Sequence, residues 1–276
     1  MTTSDNLFAG SIPEIYDRYL VPLLFEAPAS DLVSRLMRME PKRVLETAAG
    51  TGILTRQLAM QLPDSARIVA TDLNQAMLDH AAASQTGDSR ITWQQADALA
   101  LPFLDDSFDA VVCQFGAMFF PDKVQGYREA SRVLKPGGSF VFNVWDRIAE
   151  NEFADVVTQA LAIEFPRDPP LFMARTPHGY HDVAQIRQQL TAAGFVSIEE
   201  DTFAATSKAA SARDVAIAYC QGTPLRNEIE ARDRSGLEAA TQRSADALAR
   251  KFGSGAVEGR IQAHVLTAKR YPVAAP

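Results

Sequence analysis

The chain has 276 residues, a net charge of −7, 47% hydrophobic and 22% charged residues. That balance bounds it to one sizeable globular domain, or one domain with a small cap, able to bury a full core. The acidic excess, with a pI of about 5.2, argues against a binder of phosphate backbones. Two cysteines, Cys113 and Cys220, are too few and too far apart in sequence to suggest a disulfide framework or a metal site.

Residues 1–10 are polar and lack the basic and apolar regions of an export signal. No apolar run reaches the roughly 18 residues of a membrane span, so the expected compartment is the cytoplasm, with both thiols reduced. Residues 11–24 read as a helical segment carrying Tyr16 and Tyr19, and residues 29–39 as an amphipathic helix ended by Pro41. Strand 43–47, helix 52–61, strand 67–72 and helix 74–84 follow, the last with Asn74 as N-cap. Next come strand 91–95, a short apolar strand at 110–113, helix 124–133, a Lys135-Pro136-Gly137-Gly138 turn and strand 139–145. Such alternation predicts βαβ units and a parallel sheet.

After Asp146 the pattern changes. Helix 152–165 precedes a Pro-rich stretch to Pro177; helix 181–193, strand 195–204, helices 209–221 and 228–251, and a strand over 259–270 complete the chain. The expected organisation is an N-terminal helical segment (1–40), a core (41–146), a cap insertion (147–181), a core helix and strand (182–206), a helical insertion (207–258), and a last strand with tail (259–276). Insertions of that length on a sheet usually form lids or substrate walls.

Val44-Leu45-Glu46-Thr47-Ala48-Ala49-Gly50-Thr51-Gly52, followed by Val69-Ala70-Thr71-Asp72-Leu73, carries the most information. It reads as strand, glycine turn, helix, then a second strand ending in an acid, the way an α/β sheet builds a nucleoside pocket. Gly50 and Gly52 permit a sharp turn and a close approach to a ligand. Asp72 lies where an acid binds ribose hydroxyls. Thr55 stands where a dinucleotide fingerprint wants Gly or Ala, and no Gly-Lys-Ser/Thr completes a P-loop. Each acid also has a plainer reading. Glu46 can cap a turn, Asp72 and Asp97 can cap helices, and Asp109 suits a structural role at a strand entrance.

These residues resemble motif I of the class I S-adenosylmethionine-dependent methyltransferases, with Ala48 in place of the first glycine of Gly-x-Gly-x-Gly. Leu101-Pro102-Phe103, Asp106-Ser107-Phe108-Asp109 and Arg132-Val133-Leu134-Lys135-Pro136-Gly137-Gly138 are similar to runs of the branch related to ubiquinone and menaquinone biosynthesis methyltransferases. The resemblance implies a Rossmann-like α/β fold: a seven-stranded, mostly parallel sheet with an antiparallel last strand, helices on both faces and helical lid insertions. It implies S-adenosyl-L-methionine as cofactor and S-adenosyl-L-homocysteine as product. By the same resemblance Glu46, Ala48, Gly50 and Gly52 form the loop, Asp72 holds the ribose, and Leu73 packs on the adenine with Met77 nearby. Asp97 and Ala98 read the adenine amino group, and Gln114 and Phe115 face the methionine part. Tyr16 and Tyr19 lie in a segment that folds over the cofactor in related enzymes, where Arg18 can meet a carboxylate.

The catalytic residue is open at this point. Tyr16, Tyr19, His178 and His181 are the candidates, the histidines as bases near neutral pH, and Phe119, Phe120, Phe172 and Met173 line either an acceptor pocket or the core. No third ligand turns the two histidines into a metal site. The expected activity is methyl transfer to the O, N or C atom of a small molecule, by a monomer or homodimer without nucleic-acid or membrane partners. An NAD(P)-dependent oxidoreductase, or a non-catalytic cofactor-binding or partner protein of the same fold, is the alternative.

Overall fold

A computed structural model describes residue 10 and residues 12–271. Its helices are α1 (Ile12–Ile15), a π-helix (Tyr16–Phe25), α2 (Glu26–Met37), α3 (Ile53–Gln61), α4 (Gln75–Ser84), α5 (Lys123–Val133), α6 (Glu152–Glu164), α7 (Phe172–Arg175), α8 (Val183–Ala192), α9 (Ala212–Gln221), α10 (Leu225–Arg232) and α11 (Leu237–Phe252). The strands are β1 (Arg43–Thr47), β2 (Arg67–Asp72), β3 (Ile91–Gln95), β4 (Phe108–Gln114), β5 (Leu134–Trp145), β6 (Phe195–Ala209) and β7 (Val257–Arg270). They form one sheet in the order β3-β2-β1-β4-β5-β7-β6. The pairs among β1 to β5 are parallel, and β7 is antiparallel to both of its neighbours.

Among the described residues the chain divides into two compact units. One takes Pro28–Val144, His181–Phe203 and the chain from His264; the other takes the chain up to Ala27, Trp145–Tyr180 and Ala204–Ala263. The first carries most of the sheet. Period-2 alternation along β5 shows why both sheet faces are buried. Val141 joins a core of Leu32, Val33, Leu36, Val44, Leu58, Ile68 and Val112. Phe140 and Phe142, on the opposite face, stack at 4.6 Å between centroids and meet Tyr127 of α5 at 5.8 and 5.4 Å.

The second unit is mainly helical. α11 packs on α9 and α6, and the π-helix and α10 pack on α9. Phe153 and Phe252 meet edge to face at 5.0 Å. Gly259 admits Phe153, since a Cβ there would lie 2.8 Å from its ring. Pro22 lies inside the π-helix and has no N–H to bond.

Three expectations are corrected. The Lys135-Pro136-Gly137-Gly138 turn is absorbed into β5, with a register shift between Phe108 and Ala110 and Gly137 at φ 78°. The helix expected over 228–251 is two helices, because Asp233 Oδ1 accepts the Ser235 N–H and hydroxyl and Gly236 N–H donates to the Asp233 carbonyl. The strand expected over 195–204 continues to Ala209.

Candidate functional site

The turn after β1 and the end of β2 build a site rich in buried acid. In the sheet order β1 stands between β2 and β4, where the connections change direction, and there open α/β sheets leave a crevice at their C-terminal edge. Glu46 is 1% exposed and accepts a hydrogen bond from Thr55 Oγ1 at 2.6 Å. This is a side-chain partner from α3, so the turn-capping reading of Glu46 falls. Burial pushes its carboxyl up to about 8, and the charge of Asp72 adds to the rise. The Thr55 bond and, least, the charge of Arg56 oppose it.

Asp72 is also buried. Its Oδ2 accepts the Gly50 N–H at 2.9 Å and its Oδ1 the Asn74 N–H at 2.8 Å. Desolvation raises its pKa against those bonds. Asp72 therefore ties the glycine turn to the start of α4. Asn74 takes the N-cap position with no side-chain cap bond of its own.

The turn is left-handed at Ala48 (φ 56°), Gly50 (φ 57°) and Gly52 (φ 80°). Ala48 keeps the backbone shape that its glycine-like position requires, at the strain of a residue with a Cβ. Gly52 serves packing, since a Cβ there would lie 2.8 Å from the Trp93 ring. Met77 is buried, with its methyl 3.7 Å from where a Cβ of Gly50 would stand. Thr51 Oγ1 is buried without a hydrogen-bond partner among the described residues.

The remaining candidates are less enclosed. Leu73 is 50% exposed. Asp97 is exposed and its Oδ1 accepts the Leu99 N–H at 2.9 Å, while Ala98 is half-buried. Gln114 ends β4 half-buried, and Phe115 follows it, buried and left-handed at φ 51°. Lys123 fixes the next turn, its Nζ donating to the carbonyls of Met118 and Phe120 at 2.8 and 2.6 Å, and desolvation lowers its pKa to about 8. Asp109 is structural: it accepts the Lys42 and Arg43 N–H groups and pairs with Lys135.

Tyr16, Tyr19 and His178 belong to the helical unit, and His181 to the sheet-bearing one. Tyr16 stacks on Phe25 at 5.1 Å, and exposed Arg18 lies over the Tyr19 ring at 5.2 Å. His178 is 4% exposed with Nδ1 2.8 Å from the Asp146 carbonyl oxygen. A carbonyl only accepts, so Nδ1 carries a proton. Phe120, Phe172 and Met173 are buried and Phe119 is half-buried. Among the described residues no cluster suits a metal, both thiols are buried and unbridged, and no helix is long and apolar enough to cross a membrane.

Thr55 and Thr51 were not read as site residues from sequence. The only signal for Thr55 was its place in the first turn of α3, nine residues beyond Glu46.

Comparison with known proteins gives a consistent picture. A family model described as a methyltransferase domain matches residues 45–142. A demethylmenaquinone methyltransferase of Clavibacter sepedonicus is 43% identical over 100 residues, covering 36% of this chain and 40% of that protein. A demethylmenaquinone methyltransferase of Mycobacterium sp. (strain KMS) is 32% identical over 165 residues, 56% of this chain and 68% of that one. The Clavibacter protein, a ubiquinone/menaquinone biosynthesis C-methyltransferase of Geobacter sulfurreducens and a demethylmenaquinone methyltransferase of Deinococcus radiodurans are matched over only 40%, 41% and 55% of their length. In fold, the chain resembles a Haemonchus contortus phosphoethanolamine N-methyltransferase solved with S-adenosyl-L-methionine, with a TM-score of 0.58, 16% identity, and coverage of 98% of this chain and 60% of that one.

Proposed function

Because this chain belongs to the S-adenosylmethionine-dependent methyltransferases, in the branch of the ubiquinone and menaquinone C-methyltransferases, we propose that it transfers a methyl group from S-adenosylmethionine to a small-molecule acceptor. The observation that carries the reading is the pair of buried carboxylates, Glu46 and Asp72, flanking a glycine turn at the sheet's C-terminal edge. Two such groups destabilise the protein when ionised without a cation. The cofactor is cationic at its sulfonium and ammonium groups and offers ribose hydroxyls, so its chemistry complements this acceptor-rich set. The unpartnered Thr51 hydroxyl in the same turn adds a further polar group.

When bound, the cofactor supplies an activated methyl group, and the protein has to bind, orient and exclude water. In this reading Asp72 holds the ribose hydroxyls while keeping Gly50 and Asn74 in place. Glu46, anchored by Thr55, accepts hydrogen bonds and, where ionised, offsets positive charge. Asp97 and Ala98 line the adenine end, and Gln114 and Phe115 the opposite end. The net charge of −7 supports a small acceptor over a nucleic acid.

Calorimetric titration with S-adenosylmethionine and S-adenosylhomocysteine, with NADH and NADPH as controls, tests the reading. Binding of the first two alone is expected. Binding of a nicotinamide alone would assign the crevice to an oxidoreductase.

A further inference from the structure

β4 ends at Gln114, so the sheet no longer offers an acceptor to the next N–H. There the chain turns left-handed at Phe115, φ 51°, which costs a residue with a Cβ on the order of 1 kcal/mol or more. The Phe115 N–H donates to Asn143 Oδ1 at 2.8 Å, in a buried bond. Asn143 pairs with Gln114 in the β4–β5 register and is 1% exposed. An amide within the apolar run Phe140-Val141-Phe142-Asn143-Val144 carries a desolvation cost unless its carbonyl is used. Here it serves the backbone donor that directly follows the end of β4.

The next residue shows how tightly this turn is fitted. A Cβ on Gly116 would lie 2.3 Å from Ala48 Cβ and 2.7 Å from Cys113 Sγ. The turn after β4 is thus pressed against the turn after β1, and each contains a left-handed residue other than glycine, Phe115 in one and Ala48 in the other. β1 and β4 are neighbouring strands, so these two turns bound the crevice that the proposed function assigns to the cofactor.

We propose that Asn143 is a positioning residue for cofactor binding: by accepting the Phe115 N–H it fixes the turn after β4 against the Ala48 turn and so sets the width of the crevice. The inference rests on the methyltransferase reading but has its own readout. Asn143→Leu keeps the side-chain size and removes the acceptor; Asn143→Asp keeps an acceptor oxygen. Each full-length variant is titrated with S-adenosylmethionine, melted thermally, and followed for amide hydrogen exchange at Phe115.

Losing one buried acceptor should raise the Kd of Asn143→Leu about tenfold and speed exchange at Phe115. Asn143→Asp, with the bond kept, should stay within about threefold of wild type on both readouts. Wild-type affinity in Asn143→Leu would overturn the proposal. So would equal weakening in both variants that merely tracks a common loss of melting temperature, the mark of a packing role. If the wild-type protein does not bind S-adenosylmethionine, the methyltransferase reading fails, and the inference for cofactor binding falls with it. Exchange at Phe115 would then still decide whether Asn143 holds the turn.

Discussion

A carboxyl group buried as deeply as Glu46 resists ionisation, and the pH dependence of stability should reveal it. Its pKa rises from 4.5 to about 8 on folding. Between those values the folded chain keeps a proton that the unfolded chain releases, so stability falls as pH rises through that window. The slope is at most about 1.4 kcal/mol per pH unit. Glu46→Gln should therefore flatten the profile and make the protein more stable than wild type at pH 8 and above. Urea unfolding at several pH values would show parallel profiles if Glu46 were ionised throughout. The same variant should bind S-adenosylmethionine more weakly above pH 8, where wild-type Glu46 is ionised, and differ less below it. Asp72 behaves differently, since it is already used by the protein. Asp72→Ala leaves the N–H groups of Gly50 and Asn74 without an acceptor, which should cost about 1–3 kcal/mol of stability. It should also weaken cofactor binding about tenfold, about 1.4 kcal/mol. Unchanged affinity in calorimetry would remove Asp72 from the ligand and leave it as a clamp.

At the scale of elements, the Ala48 and Gly116 turns behave as one piece. Gly116→Ala forces a methyl group into a space already filled by Ala48 Cβ and Cys113 Sγ, and overpacking of this kind costs about 1–3 kcal/mol. The double variant Ala48→Gly/Gly116→Ala should recover part of that loss, with the Cys113 contact remaining. Additive effects in chemical unfolding would show that the turns are independent. β1, β2 and β3 were legible to the residue, because short stretches rich in β-branched and apolar residues between turn signals leave little choice. The break between α10 and α11 was not, because it depends on the Asp233 side chain competing for backbone donors inside an otherwise helical pattern. Nor was the π-helix: the apolar spacing of residues 16–25 indicates a helix but not its hydrogen-bond register. Ile12 and Leu20 are buried, and Leu20 and Ile15 sit against Gly222 at the end of α9, so truncation through Leu20 should destabilise the helical unit.

For the molecule as a whole, the motif residues and the helical additions differ in how much their sequence reveals. Glu46, Gly50, Gly52 and Asp72 fall within 27 consecutive residues of one unit, where local turn chemistry dictates their arrangement. The other unit gathers three stretches far apart in sequence. Its helices show apolar faces, but a face does not name its partner, so packing such as α9 on α11 was not legible. Nor did spacing alone show that His178 would be oriented by the Asp146 carbonyl. The division has a thermodynamic consequence. Glu46 and Asp72 belong to the sheet-bearing unit, so a ligand they hold stabilises that unit directly. At a hundredfold excess over Kd, linkage adds about 2.7 kcal/mol, which for a chain of this size raises the melting temperature by about 5–10 °C. Scanning calorimetry with S-adenosylmethionine, S-adenosylhomocysteine and NADH reads this shift without any knowledge of the acceptor. A shift with the first two and none with NADH is expected. The reverse pattern would mean that the two carboxylates receive a different nucleoside, and the methyl-transfer reading would go with it.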